Sequence, residues 1–105
     1  MNGADLIAAE RQRQIDSEGW TPDHDDRHVH HEIAEAARCY VSLYIAREFG
    51  RPRGLPMPTA KTWPEGWEWK PSDDPIHNLV RAGALIAAEI DRLQRAALRS
   101  NEVQS

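Results

Sequence analysis

Six of the seven prolines stand between Pro52 and Pro75, and they decide what this chain of 105 residues can become. Pro52, Pro56, Pro58, Pro64, Pro71 and Pro75, with Gly54 and Gly66 among them, exclude a helix interior or a central strand, because each proline lacks an amide donor and crowds the preceding turn. Regular structure is therefore confined to the two flanks. Both carry apolar residues at helical rather than alternating spacing. The expected fold is all-α: a three-helix antiparallel bundle over about residues 5–18, 26–48 and 75–99, with a long irregular connection, 50–74, between the second and third helices. Trp63, Trp67 and Trp69 lie in that connection with too much apolar surface to be left in water, so it is expected to be ordered and to cover the helices.

Each helix carries local signals. The first presents Leu6, Ile7 and Ile15, and Gly19 is placed to end it in a left-handed conformation with Trp20 folding back. Asp25 or Asp26 is the expected cap of the second, whose apolar stripe is Ile33, Ala36, Ala37, Tyr40, Leu43, Tyr44 and Phe49, stopped by Gly50. The third has the clearest start, Asp74 as cap and Pro75 at the first helical position. Its broad face of Ile76, Leu79, Val80, Gly83, Leu85, Ile86, Ile90 and Leu93 is expected to be buried. Small residues around Gly83 (Ala82, Ala84, Ala87 and Ala88) permit close approach of the second helix or of the same helix from another subunit. Ser100 to Ser105 read as a frayed tail.

Composition bounds the partners. One domain is expected at this length, small enough that a homo-oligomer, dimer or higher, would add burial. A net charge of −4 argues against a general nucleic-acid binder or an anionic-membrane binder. The single cysteine, Cys39, excludes an internal disulfide, fits a reducing compartment, and reads as a core thiol. No apolar run reaches membrane-spanning length and no signal-type leader opens the chain, so a cytoplasmic protein is expected.

The chemistry concentrates between Asp23 and Glu35. His28, Glu32, Glu35 and Cys39 recur at spacings of four, three and four, which on one continuous helix would put them on one face. Two carboxylates a turn apart suit magnesium or manganese, hard cations that prefer oxygen donors, with His28 and either Glu89 or Asp91 as helpers. The bland alternative is that Glu32 and Glu35 satisfy the helix dipole and pair with Arg38. Asp23, His24, Asp25 and Asp26 could form a loop site, though such residues serve as caps and turn formers. His31-Glu32-Ile33-Ala34-Glu35 has the outline of the zinc-protease helix but a glutamate at the second histidine position. Arg11, Arg81, Trp63 and Trp67 are the candidates for holding a nucleotide, by guanidinium–phosphate pairing and base stacking. No nucleophile, glycine-rich phosphate loop or paired-cysteine site is present, and no catalytic residue is assigned.

Several segments together carry a resemblance: Glu10-Arg11-Gln12-Arg13-Gln14-Ile15, Glu18 to Asp26, Glu32 to Ala37 with Cys39-Tyr40, the Trp63 to Pro71 region, and Leu79 to Ile90. Over most of its length the chain resembles a family of small phage and prophage proteins, which is distantly similar in turn to the MazG-like all-α nucleoside triphosphate pyrophosphohydrolases. The resemblance implies magnesium held by acids on two helices, cleavage between the α and β phosphates by activated water, and assembly as dimers or dimers of dimers. Glu32 and Glu35 match the metal motif. Near the start of the later helix, where those enzymes place a further acidic pair, this chain has His77 and Asn78, and acids recur only at Glu89 and Asp91. The implied function is nucleotide binding with magnesium-dependent hydrolysis. The alternative is a non-enzymatic phage accessory or counter-defence protein that binds a host signalling nucleotide or a host protein.

Overall fold

A computed structural model describes residues 1–49, 63, 67 and 69–104 of the chain. These residues form α1 (Gly3–Glu18), α2 (Pro22–Asp26), α3 (Glu32–Phe49) and α4 (Pro75–Gln104), with no strand among the described residues. The all-α class is therefore correct, with four helices where three were expected. Among the described residues no helix is long and apolar enough to cross a membrane.

α1 starts two residues earlier than its apolar pattern suggests because Asn2 and Asp5 form a capping box. The Asp5 amide donates to Asn2 Oδ1 at 2.9 Å, and the Asn2 amide donates to Asp5 Oδ2 at 3.1 Å. Gly19 ends the helix at φ 72°, and the Trp20 amide turns back to the Gln14 carbonyl at 3.1 Å. Thr21 caps the five-residue α2, with Pro22 at the first helical position. The expected helix over 26–48 is thus split: α2 closes at Asp26, and α3 opens at Glu32 after His31, a non-glycine residue at φ 68°. Neither proline nor glycine marks that break, so periodicity alone ran through it.

The core forms where α3 presents Ile33, Ala36, Ala37 and Tyr40 at helical spacing to Ala82, Leu85 and Ala88 of α4. Trp20, Trp63, Trp67 and Trp69 pack against this cluster half-buried, as the apolar load of the tryptophans predicted. Gly50 and the connection outside Trp63, Trp67 and residues 69–74 lie beyond the described residues. Cys39 is buried.

α4 is the spine on which α1, α2 and α3 pack. Asp74 caps it, accepting from the Ile76 amide at 2.9 Å, and it stays helical through Gln104 rather than fraying at Ser100. At about 45 Å it is far longer than the roughly 27 Å of α3. At Gly83 the close neighbour is α1 rather than α3. A β-carbon there would stand 2.6 Å from Ile7 Cδ1, so this notch receives α1. The broad face expected to be buried is only partly so: Leu85 is covered, whereas Ile76, Leu79, Ile86, Ile90 and Leu93 are 38–58% exposed. The reason is geometric. Two helices flank α4 on separate sides, burying Asn78, Ala82, Ala84, Ala88, Glu89 and Arg92, and they leave the sector between them open.

Candidate functional site

The first turn of α3 holds two carboxylates a turn apart. Glu32 Oε1 accepts the His30 amide at 2.9 Å, which fixes the side chain back against the preceding turn. Glu32 Oε2 and Glu35 Oε2 are both buried and accept no hydrogen bond among the described residues. Arg38 approaches Glu35 Oε2 to 3.2 Å without hydrogen-bonding geometry, and as an exposed pair it is worth little. Buried carboxylate oxygens without donors are rare because the lost hydration is large, so Glu32 Oε2 invites a cationic or protic partner, whereas Glu35 Oε2 already has the Arg38 guanidinium beside it.

Across from this turn, on α4, Glu89 and Arg92 form a buried ion pair three residues apart. The hydrogen bond to Glu89 holds the Arg92 guanidinium above its ordinary pKa against the opposing effect of burial, and the charges of Glu89, Asp26 and Glu32 add to that hold. On α3, Glu35 stands beside Arg38, and on α4 Glu89 is paired with Arg92, whose charge also feels Glu32 and Asp26. Among the described residues no three His, Cys, Asp or Glu side chains converge as a ready-made metal site. A two-carboxylate pair still fits magnesium, which commonly takes one or two protein carboxylates and completes its shell from water and phosphate oxygens.

No family model, no curated protein and no solved structure matches this chain.

The other candidate residues are placed as follows. His28 precedes α3 and does not share a face with Glu32 and Glu35; its Nδ1 is 2.9 Å from the His24 carbonyl oxygen and its ring packs 5.1 Å from Trp67. Asp91 is exposed on α4, on a different side from the buried Glu89. Arg11 donates to the Trp20 carbonyl at 3.1 Å and to Asp25 Oδ2 at 2.8 Å, so its fork ties α1 to α2. Arg81 lies 6.0 Å from the centre of the Tyr40 ring and donates to the Lys70 carbonyl. Burial pushes the Tyr40 hydroxyl up, with the Arg81 charge opposing. Trp63 donates to the Trp67 carbonyl at 2.7 Å, and Trp67 stacks on Trp20 at 4.6 Å while its indole N–H reaches His24 Nε2 at 3.3 Å. The Arg11, Arg81, Trp63 and Trp67 side chains thus have internal partners and do not converge with the Glu32–Glu35 turn.

Two participants escaped the sequence reading. Arg92 is one, although a Glu-x-x-Arg spacing on the inward side of α4 was available as a signal. His31 is the other: its left-handed backbone immediately precedes Glu32, and only coordinates reveal it.

Proposed function

We propose that this protein is a MazG-like nucleotide-binding protein, built as an antiparallel bundle of α1, α3 and α4, that holds a phosphate-bearing ligand through magnesium or manganese at Glu32 and Glu35. The observation that carries the reading is the pair of buried, donor-less oxygens, Glu32 Oε2 and Glu35 Oε2, one turn apart. A bound divalent cation would supply charge neutralisation for phosphate oxygens and would acidify a water for attack between the α and β phosphates. Glu32 and Glu35 would hold that cation, and Arg92 stands within electrostatic reach of Glu32 to meet an anionic ligand.

A second reading, binding without cleavage, is favoured by one specific feature. The Arg92 guanidinium already neutralises Glu89, so the α4 side offers one fewer acid to a second metal ion. Such a protein would sequester a nucleotide as an accessory or counter-defence factor.

Calorimetric titration of magnesium or manganese together with a nucleoside triphosphate tests the site. Saturable binding that falls at least about tenfold in Glu32→Gln and in Glu35→Gln is expected. No metal-dependent binding, or binding indifferent to both substitutions, removes the proposal. Product analysis in the same mixtures separates hydrolysis from sequestration.

A further inference from the structure

Where α1 packs on α4 there is a cavity of about 20 Å³, room for one group the size of water or ammonium. None of its walls belongs to the Glu32–Glu35 turn or to the Glu89–Arg92 pair. Gln14 lines it and is 2% exposed, yet only half of its amide is engaged: Nε2 donates to Glu10 Oε2 at 3.2 Å, while Oε1 is buried with no donor among the described residues. A buried amide oxygen left in that state calls for a proton-bearing partner. Trp20 and Tyr40 line the same cavity, and aromatic rings attract an ammonium group.

The charges around the cavity are mixed. Arg13 bridges two carboxylates of the lining, Glu10 at 2.6 Å and Glu18 at 3.3 Å. Burial works against the Glu10 carboxylate, but the Arg13 and Gln14 hydrogen bonds and the Arg81 charge hold it below its ordinary range, so it stays an anion. Arg81 donates to the Lys70 carbonyl and forms no ion pair among the described residues, which leaves further guanidinium donors for an anionic group. A wider cleft of about 250 Å³ adjoins, lined by Glu10, Arg13 and Arg81 in common with the cavity and by His77 and Val80.

We propose that cavity and cleft together bind a small zwitterion of the α-amino acid class, its ammonium group at Gln14 Oε1 near Glu10 and Glu18 and its carboxylate on Arg81. The polarity follows from the lining. An ammonium supplies the donors that Gln14 Oε1 lacks and meets two carboxylates, whereas an anionic group placed there would face an acceptor. The inner volume admits a primary ammonium but not a methylated or acylated nitrogen. The site is independent of the metal site proposed at Glu32 and Glu35.

Calorimetric titration of the full chain with each of the common L-amino acids, in buffer containing EDTA so that the Glu32–Glu35 turn takes no part, decides it. At least one amino acid is expected to bind saturably, with its N-acetyl and its carboxamide derivatives each at least about tenfold weaker, since each lacks one charged contact. Gln14→Leu, which keeps nearly the volume and removes the orphan oxygen, and Arg81→Met are each expected to weaken that binding at least about tenfold at unchanged helical circular dichroism. No saturable binding by any amino acid, as from a cavity that holds water alone, overturns the proposal. Equal binding of either derivative overturns it too, irrespective of how the variants fold, as does undiminished binding by both folded variants.

Discussion

Asn78 illustrates how much structure one polar side chain can hold in so small a protein. It is fully buried; its Oδ1 accepts the Ser72 amide at 2.9 Å and its Nδ2 donates to the Ser72 carbonyl at 2.9 Å, closing the chain onto the first turn of α4. Asn78→Ala leaves both backbone groups of Ser72 without that partner and should cost about 2 kcal/mol, read as a lowered denaturant midpoint at unchanged slope. In the sequence Asn78 stood out only as a non-acid where the resembled enzymes carry an acid. Its partner six residues upstream depends on the turn before Pro75, which residue identities do not encode. Asp25 or Asp26 was expected to cap the second long helix, but Thr21 is the cap and both aspartates lie inside α2, where Asp25 is the buried partner of Arg11 at 2.8 Å and of His24 at 3.0 Å. A buried polar residue and a surface one look alike until the chain is folded. Glu32 and Glu35 were legible because their spacing is local; that their outer oxygens lack donors was not.

At the scale of elements, the break between α2 and α3 matters most for the site. His31 adopts φ 68°, a conformation that penalises a residue with a β-carbon by about 1–2 kcal/mol. Glycine removes that penalty but enlarges the unfolded ensemble, so His31→Gly should stabilise the protein by roughly 0.5 kcal/mol. A raised thermal midpoint checks this; a fall would mean that the exposed imidazole contributes more than its backbone conformation costs. The helices at the two ends of the chain were readable from caps and punctuation: Gly19 ending α1, and Asp74 with Pro75 opening α4. The 27–31 interruption carries no glycine or proline, and so the expected face linking His28 to Glu32 and Glu35 does not form. Periodicity identified the apolar residues of α4 correctly, but it could not say that α1 and α3 leave one sector of that helix uncovered.

Across the whole molecule, α4 organises everything else, and Asp26 fastens α2 to it. Asp26 accepts three hydrogen bonds from Arg95, at 3.0 and 2.9 Å to Oδ1 and 3.3 Å to Oδ2, and another from Arg99. Arg95 first, then Arg99, hold its carboxyl below the ordinary value of 3.8 against the opposing effect of burial. A depressed folded value means that the stabilisation is complete above the unfolded aspartate range and is lost as pH falls through the lower folded value. Asp26→Asn should therefore destabilise the protein by about 1 kcal/mol at neutral pH, and unfolding midpoints of variant and wild type should converge below the ordinary value of 3.8. A gap that persists in acid would assign the loss to shape rather than charge. The functional account turns on the α3 turn facing Arg92 and Glu89, and electron paramagnetic resonance of manganese interrogates it most directly. Wild-type protein should deplete the sharp signal of aqueous manganese at close to one ion per chain, and the double substitution Glu32→Gln with Glu35→Gln should leave that signal intact at unchanged helix content. Equal depletion by both proteins, or none by the wild type, would contradict the assignment.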